Sequence, residues 1–116
     1  MKILVITDIH GNASALEAVL NKEEDIDGAI FLGDALLSGP QANETMALLE
    51  GLNLDIAIMG NHDEEVINPA IFAGWPAEWV ALNNWSLDQL EPGTAETVEK
   101  FTSNDQYEID GMELYL

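Results

Sequence analysis

The chain has 116 residues, of which 22 are acidic and only Lys2, Lys22 and Lys100 are basic, giving a net charge of −19. Such a surface repels nucleic-acid backbones and anionic membranes, so neither is expected as a direct partner. The absence of cysteine excludes disulfide scaffolds and thiolate metal sites.

Forty-seven percent hydrophobic residues are enough for the core of one domain over residues 1–116. The acids are scattered along the whole chain, a pattern suited to a halophilic source whose salt screens the self-repulsion. Ile3 to Ile6, the longest early apolar run, is too short for a signal peptide or a membrane span. A cytoplasmic location is therefore expected.

Ile3-Leu4-Val5-Ile6 reads as a strand buried on both faces. After Asp8-Ile9-His10-Gly11-Asn12 comes a helical pattern with Leu16, Val19 and Leu20 on one side, capped by Asn12 or Ser14. A second strand, Ala29 to Leu32, ends at Gly33-Asp34. A second helix carries Met46, Leu48, Leu49 and Leu52, with Gly51 near its end. A third strand, Leu54 to Met59, runs into Gly60-Asn61-His62-Asp63. Trp75, Trp79, Val80 and Leu82 predict a helix packed on the core and started by Pro76. Thr94 to Phe101 predicts another, capped by Thr94, and Asp110-Gly111 predicts a hairpin turn between Tyr107–Ile109 and Met112–Leu116.

A β-α-β-α-β order with short connections predicts parallel strands joined by right-handed crossovers. Twenty-six residues separate Asp8 from Asp34, and twenty-seven separate Asp34 from Asn61. Each repeat brings the chain back to the same sheet edge, so the three polar clusters converge at the carboxyl ends of the strands. There Asp8 and His10 form a carboxylate–imidazole ligand pair, Asp34 adds a carboxylate able to bridge two cations, and Asn61 adds an amide oxygen. Mixed N/O donors suit Mn, Fe, Zn or Ni and disfavour sulfur-seeking metals. Two such ions would clamp a phosphate. His62 is placed to meet phosphoryl oxygens or protonate a leaving group, with Asp63 to orient it. The acidic pairs, Glu64-Glu65 among them, read as solvated faces. A lone Asp-x-His or Gly-Asp is commonly an accident of the surface. Three clusters in order at successive strand ends, holding the chain's only two histidines, are not.

At Asp8-Ile9-His10-Gly11-Asn12, Gly33-Asp34 and Gly60-Asn61-His62-Asp63 the sequence resembles the calcineurin-like metallophosphoesterase superfamily. Leu32-Gly33-Asp34 followed by Ser38-Gly39-Pro40 is similar to its small prokaryotic phosphodiesterase/phosphatase branch. The resemblance implies an α/β/β/α sandwich and hydrolysis of a small phosphate ester, monoester or diester, by a metal-bound hydroxide. It implies Asp8 and His10 on a first metal, Asp34 bridging, Asn61 on a second, manganese being favoured, and His62 at the scissile phosphate with Asp63 behind it. The family's later His-Gly and Gly-His-x-His motifs have no counterpart, since no histidine follows His62. The expectation is the N-terminal portion of such an enzyme, incomplete at its C-terminus, completed by a second chain or by homo-oligomerisation, or inactive alone. Two further readings stand beside it. One is a non-catalytic metal-binding or oligomerising module. The other, ranked last, is a phosphoacceptor receiver domain, which would want a lysine at a late strand end where Lys100 does not fall.

Overall fold

The computed structural model describes residues 1–116. Strands β1 (Ile3–Ile6), β2 (Gly28–Phe31) and β3 (Ile56–Ala57) form a parallel sheet in the order β1-β2-β3. Helices α1 (Ala13–Lys22) and α2 (Ala42–Gly51) make the crossovers, as the motif spacing requires. β3 is shorter than its apolar run because only Ile56 and Ala57 align with β2. Beyond them the chain turns to Thr102, whose N–H donates to Ala57 O at 2.7 Å and whose carbonyl accepts from Met59 N at 2.9 Å.

Asn12 is the cap of α1. Its Oδ1 accepts the Ala15 N–H at 3.0 Å, satisfying one of the amides that a helix start leaves unpaired. The apolar faces of α1 and α2 place Leu16, Met46 and Leu49 against Phe31 and the Ala35-Leu36-Leu37 segment that follows β2. Full burial of a leucine or phenylalanine contributes roughly 1.5–3 kcal/mol. The other face of the sheet presents Ile30, Ile56 and Ile58. Against it fold β4 (Gln106–Ile109) and β5 (Met112–Tyr115), through Tyr107, Ile109 and Leu114. Their turn holds Asp110 at φ 49° and Gly111 at φ 78°, the two positive values a tight hairpin needs. Helices, sheet and hairpin thus stack as α/β/β layers, part of the expected sandwich.

Three expectations need correction. β1 is an edge strand, and Val5 is 53% exposed rather than buried on both faces. The last helix, α5 (Thr94–Val98), stops short of Phe101, and its cap is Gly93 at φ 92° rather than Thr94, whose hydroxyl donates to Glu91 O. Helix α4 (Ala77–Gln89), preceded by Pro76, packs on the core through Leu87, with Val80 half-buried, rather than through Trp79 and Leu82. It buries Asn83 and Ser86 while Trp79, Leu82 and Trp85 stay exposed. Asn83 is drawn inward by a buried carboxylate described below.

The charge of −19 on so small a body predicts a strong salt response. Raising KCl from 20 mM to 1 M shortens the screening length to about 3 Å. The melting temperature should climb by several degrees, and a flat or falling curve would show that self-repulsion is not what limits stability.

Candidate metal centre

The loops after β1 and β2 run side by side as an irregular continuation of their pairing. Asp8 N donates to Gly33 O at 3.0 Å, His10 N to Asp34 O at 3.0 Å, and Gly11 N to Ala35 O at 2.8 Å. To do this the backbone enters the left-handed region at Asp8 (φ 52°), His10 (48°), Asp34 (64°) and Ser38 (79°). Non-glycine residues there cost about 1–2 kcal/mol each. Four of the chain's seven such residues sit in these two loops, and strain of this kind gathers at functional sites. Gly39 lies so close under the His10 carbonyl that a Cβ would collide with that oxygen.

The strain brings three donors together. Asp8, His10 and Asp34 each offer a ligand atom, and all three atoms lie within 4.8 Å of one another. Their chemistry fits a borderline or hard divalent ion. His10 is set for ligation, since its Nδ1–H donates to Leu37 O at 3.0 Å and leaves the Nε2 lone pair free, 3.5 Å from Asp8 Oδ1. Thr7 Oγ1–H donates to Asp8 Oδ2 at 2.7 Å, fixing that carboxylate from outside.

The third cluster is delivered by helix α3 (Asn61–Ile67). Gly60 precedes it and lies against Asp34, whose carboxylate and amide a Cβ at Gly60 would meet. The His62 N–H donates to Asp34 Oδ1 at 2.8 Å. Asn61, exposed at the first position of α3, stands between these two contacts. The His62 ring meets the His10 ring edge-on at 5.3 Å between centroids and the Trp75 ring at 6.3 Å.

Asp63 does not orient His62. Buried at 1% exposure, it accepts from Asp34 N (2.7 Å), Ala35 N (2.9 Å) and Gly60 N (2.8 Å). It therefore stitches the second loop to the third, and its bond to Gly60 N is the reach-back of an acidic N3 residue to a helix cap. Burial pushes its carboxyl above the ordinary aspartate range, with a further push from Asp34 and against the pull of the three N–H donors. The carboxylate beside His62 is Glu65, whose Oε1 lies 3.1 Å from Nδ1. Glu65 is 1% exposed, not part of a solvated face. The spacing of three residues on a helix was the available signal, since side chains so placed are neighbours. An acidic neighbour at Glu64 obscured it.

A layered α/β domain with strained loops that gather Asp8, His10, Asp34 and His62 at parallel strand ends defines a metallophosphoesterase fold. The chain belongs to the calcineurin-like phosphoesterase family, whose profile matches residues 1–114. It is similar to the crystal structure of a metallophosphoesterase from Sphaerobacter thermophilus, at 30% identity and TM-score 0.76, over 94% of this chain and 44% of that one. The uncharacterized protein MJ0912 of Methanocaldococcus jannaschii is 43% identical over 67 residues, 56% of this chain and 27% of the relative. A candidate diadenosine tetraphosphatase shares the fold, with TM-score 0.63 at 19% identity, over 85% of this chain and 42% of that one. The chain thus spans less than half the length of each.

Proposed function

We propose that this chain carries the metal-holding part of a divalent-metal-dependent phosphoesterase acting on small phosphate mono- or diesters. The observation that supports it most is the convergence of Asp8, His10 and Asp34 within 4.8 Å, in a chain of this family. Asp8 and His10 would hold a first ion, Asp34 would bridge to a second, and Asn61 would reach that second ion. Manganese leads the expected metals. When bound, such ions supply charge stabilisation to the phosphoryl oxygens and lower the pKa of a water.

The chain's own residues then have defined tasks. The Leu37 carbonyl holds His10 with Nε2 toward the ligand cluster. Asp34 ties His62 to the cluster through the His62 amide. The His62 ring, 27% exposed, presents its remaining nitrogen, Nε2, to a phosphoryl or leaving-group oxygen, and in the doubly protonated ring the Nε2–H can be donated there to assist bond cleavage. Half-buried Trp75 closes one side of that ring.

A non-catalytic, assembling module is the second reading, and the exposed row of Trp79, Leu82 and Trp85 on α4 favours it. Hydrolysis of p-nitrophenyl phosphate and its bis ester across a panel of Mn²⁺, Fe²⁺, Zn²⁺, Ni²⁺ and Mg²⁺ decides between them. Metal-dependent turnover of either ester, lost on chelation, is expected. Tight metal binding with no turnover of either would leave the module.

A further inference from the structure

We propose that Glu65 and Asn83 form a positioning pair that locks the tautomer and orientation of His62, with Nε2 as the nitrogen facing the metal centre. The proposal rests on the phosphoesterase reading for what His62 does, but the geometry behind it stands by itself.

Glu65 follows His62 by one helical turn on α3, so the two side chains share a face. Its carboxylate is sealed at 1% exposure, where an unpaired charge is strongly disfavoured. Two groups from different elements reach it. His62 Nδ1 lies 3.1 Å from Oε1 and 3.2 Å from Oε2, and Asn83 Nδ2, from α4, donates to Oε2 at 3.0 Å. An ionised carboxylate only accepts hydrogen bonds, so the proton of a neutral His62 ring belongs on Nδ1. The lone pair is then on Nε2. Turning the ring over would replace Nδ1 by a carbon and leave the buried carboxylate with Asn83 alone.

Asn83 explains why Glu65 stays put. It is itself 4% exposed, on the helix that shows its tryptophans to solvent and turns its amide inward. A helix docked only for apolar burial would have done the opposite. His10 carries the same device in a simpler form, Nδ1–H spent on a carbonyl and Nε2 free. Both rings thus offer the same nitrogen, with centroids 5.3 Å apart.

The alternative is that Glu65 and Asn83 only fasten α4 to α3. Long-range ¹H–¹⁵N correlation spectra of the full chain at about pH 9, above the ordinary imidazole range, separate the two. Wild type should show Nδ1–H on both rings. Glu65→Gln, which keeps an acceptor oxygen, should retain it on His62. Glu65→Leu should release His62 to the Nε2–H form while His10 is unchanged. In the same series kcat on p-nitrophenyl phosphate should fall by about 10–100-fold for Glu65→Leu, the range typical of a group behind an active residue, with KM and Mn²⁺ affinity nearly constant. Glu65→Gln should recover most of it. Should Glu65→Leu fail to fold, Asn83→Leu takes its place, and a lowered kcat at constant KM is expected. An Nε2–H ring in wild type overturns the proposal, as does an Nδ1–H ring that survives Glu65→Leu, or an Asn83→Leu chain with unchanged kcat. Absence of turnover with every metal removes the phosphoesterase reading instead, and the tautomer spectra still decide whether the pair holds His62.

Discussion

Replacing Asp34 by asparagine should weaken Mn²⁺ binding by more than about 100-fold, beyond the upper end of what losing a group behind a ligand costs. The carboxylate belongs to the Asp8–His10–Asp34 cluster whose donor atoms meet within 4.8 Å, and the amide substitute removes a full negative charge from it. Its Oδ1 also receives the His62 N–H at 2.8 Å, a bond the asparagine oxygen can keep. The fold should therefore survive and the loss should be confined to the metal. Titration calorimetry on both proteins checks this. Unchanged affinity in the variant would remove Asp34, and with it the convergent site.

Asp63→Ala should act in the opposite sense, sparing the ligands but lowering stability. Three amides of two loops lose their common acceptor, one of them at fully buried Ala35. Bonds to a charged group contribute about 1.5–3 kcal/mol each, and water entering the gap offsets part of the loss, leaving a net cost of about 3 kcal/mol. For a domain of this size that lowers the melting temperature by roughly 12 °C. Asp63→Asn, keeping one acceptor oxygen, should lose about half as much. A melting point for Asp63→Ala within about 2 °C of wild type would show that the loops hold each other without it. The raised carboxyl adds a pH dependence of defined sign. Its folded value lies above its unfolded one, so the stability gained by protonating it is complete below the ordinary aspartate range. That gain disappears as pH rises through the raised value. The advantage of wild type over Asp63→Asn should accordingly be largest in acid and shrink toward neutrality.

The sheet and its ligand edge were legible in the sequence because both follow from local rules. Unbroken apolar runs at Ile3–Ile6 and Ala29–Leu32, each followed two residues later by an acid, read as strands delivering carboxylates to one edge. Asp110-Gly111 announced its hairpin in the same way. What escaped depended on direction rather than spacing. Nothing in Gly60-Asn61-His62-Asp63 says that the first turn of α3 points Asp63 back into two loops, although an acid three residues after a helix cap is the pattern that does so. Nothing in Glu64-Glu65 says which of two adjacent acids is interior. That was settled by Asn83, eighteen residues further on, in a helix whose tryptophans argued for the reverse orientation. Polar burial on α4 overrode the apolar pattern because a sealed carboxylate needs a donor more than the exposed tryptophans need cover.

Lys2 opens β1 and pairs with Glu23 at 2.9 Å, Lys22 closes the helix that returns to the start of β2, and Lys100 borders a groove with Asn53 and Leu54 just ahead of β3. All three lysines belong to the amino ends of the strands, opposite Asp8, His10 and Asp34. The carboxyl end has no resident positive side chain to welcome an anion, and the chain's overall charge turns one away. In the proposed phosphoesterase, cations would therefore have to bind first, offsetting Asp8 and Asp34 before this edge could retain a phosphate.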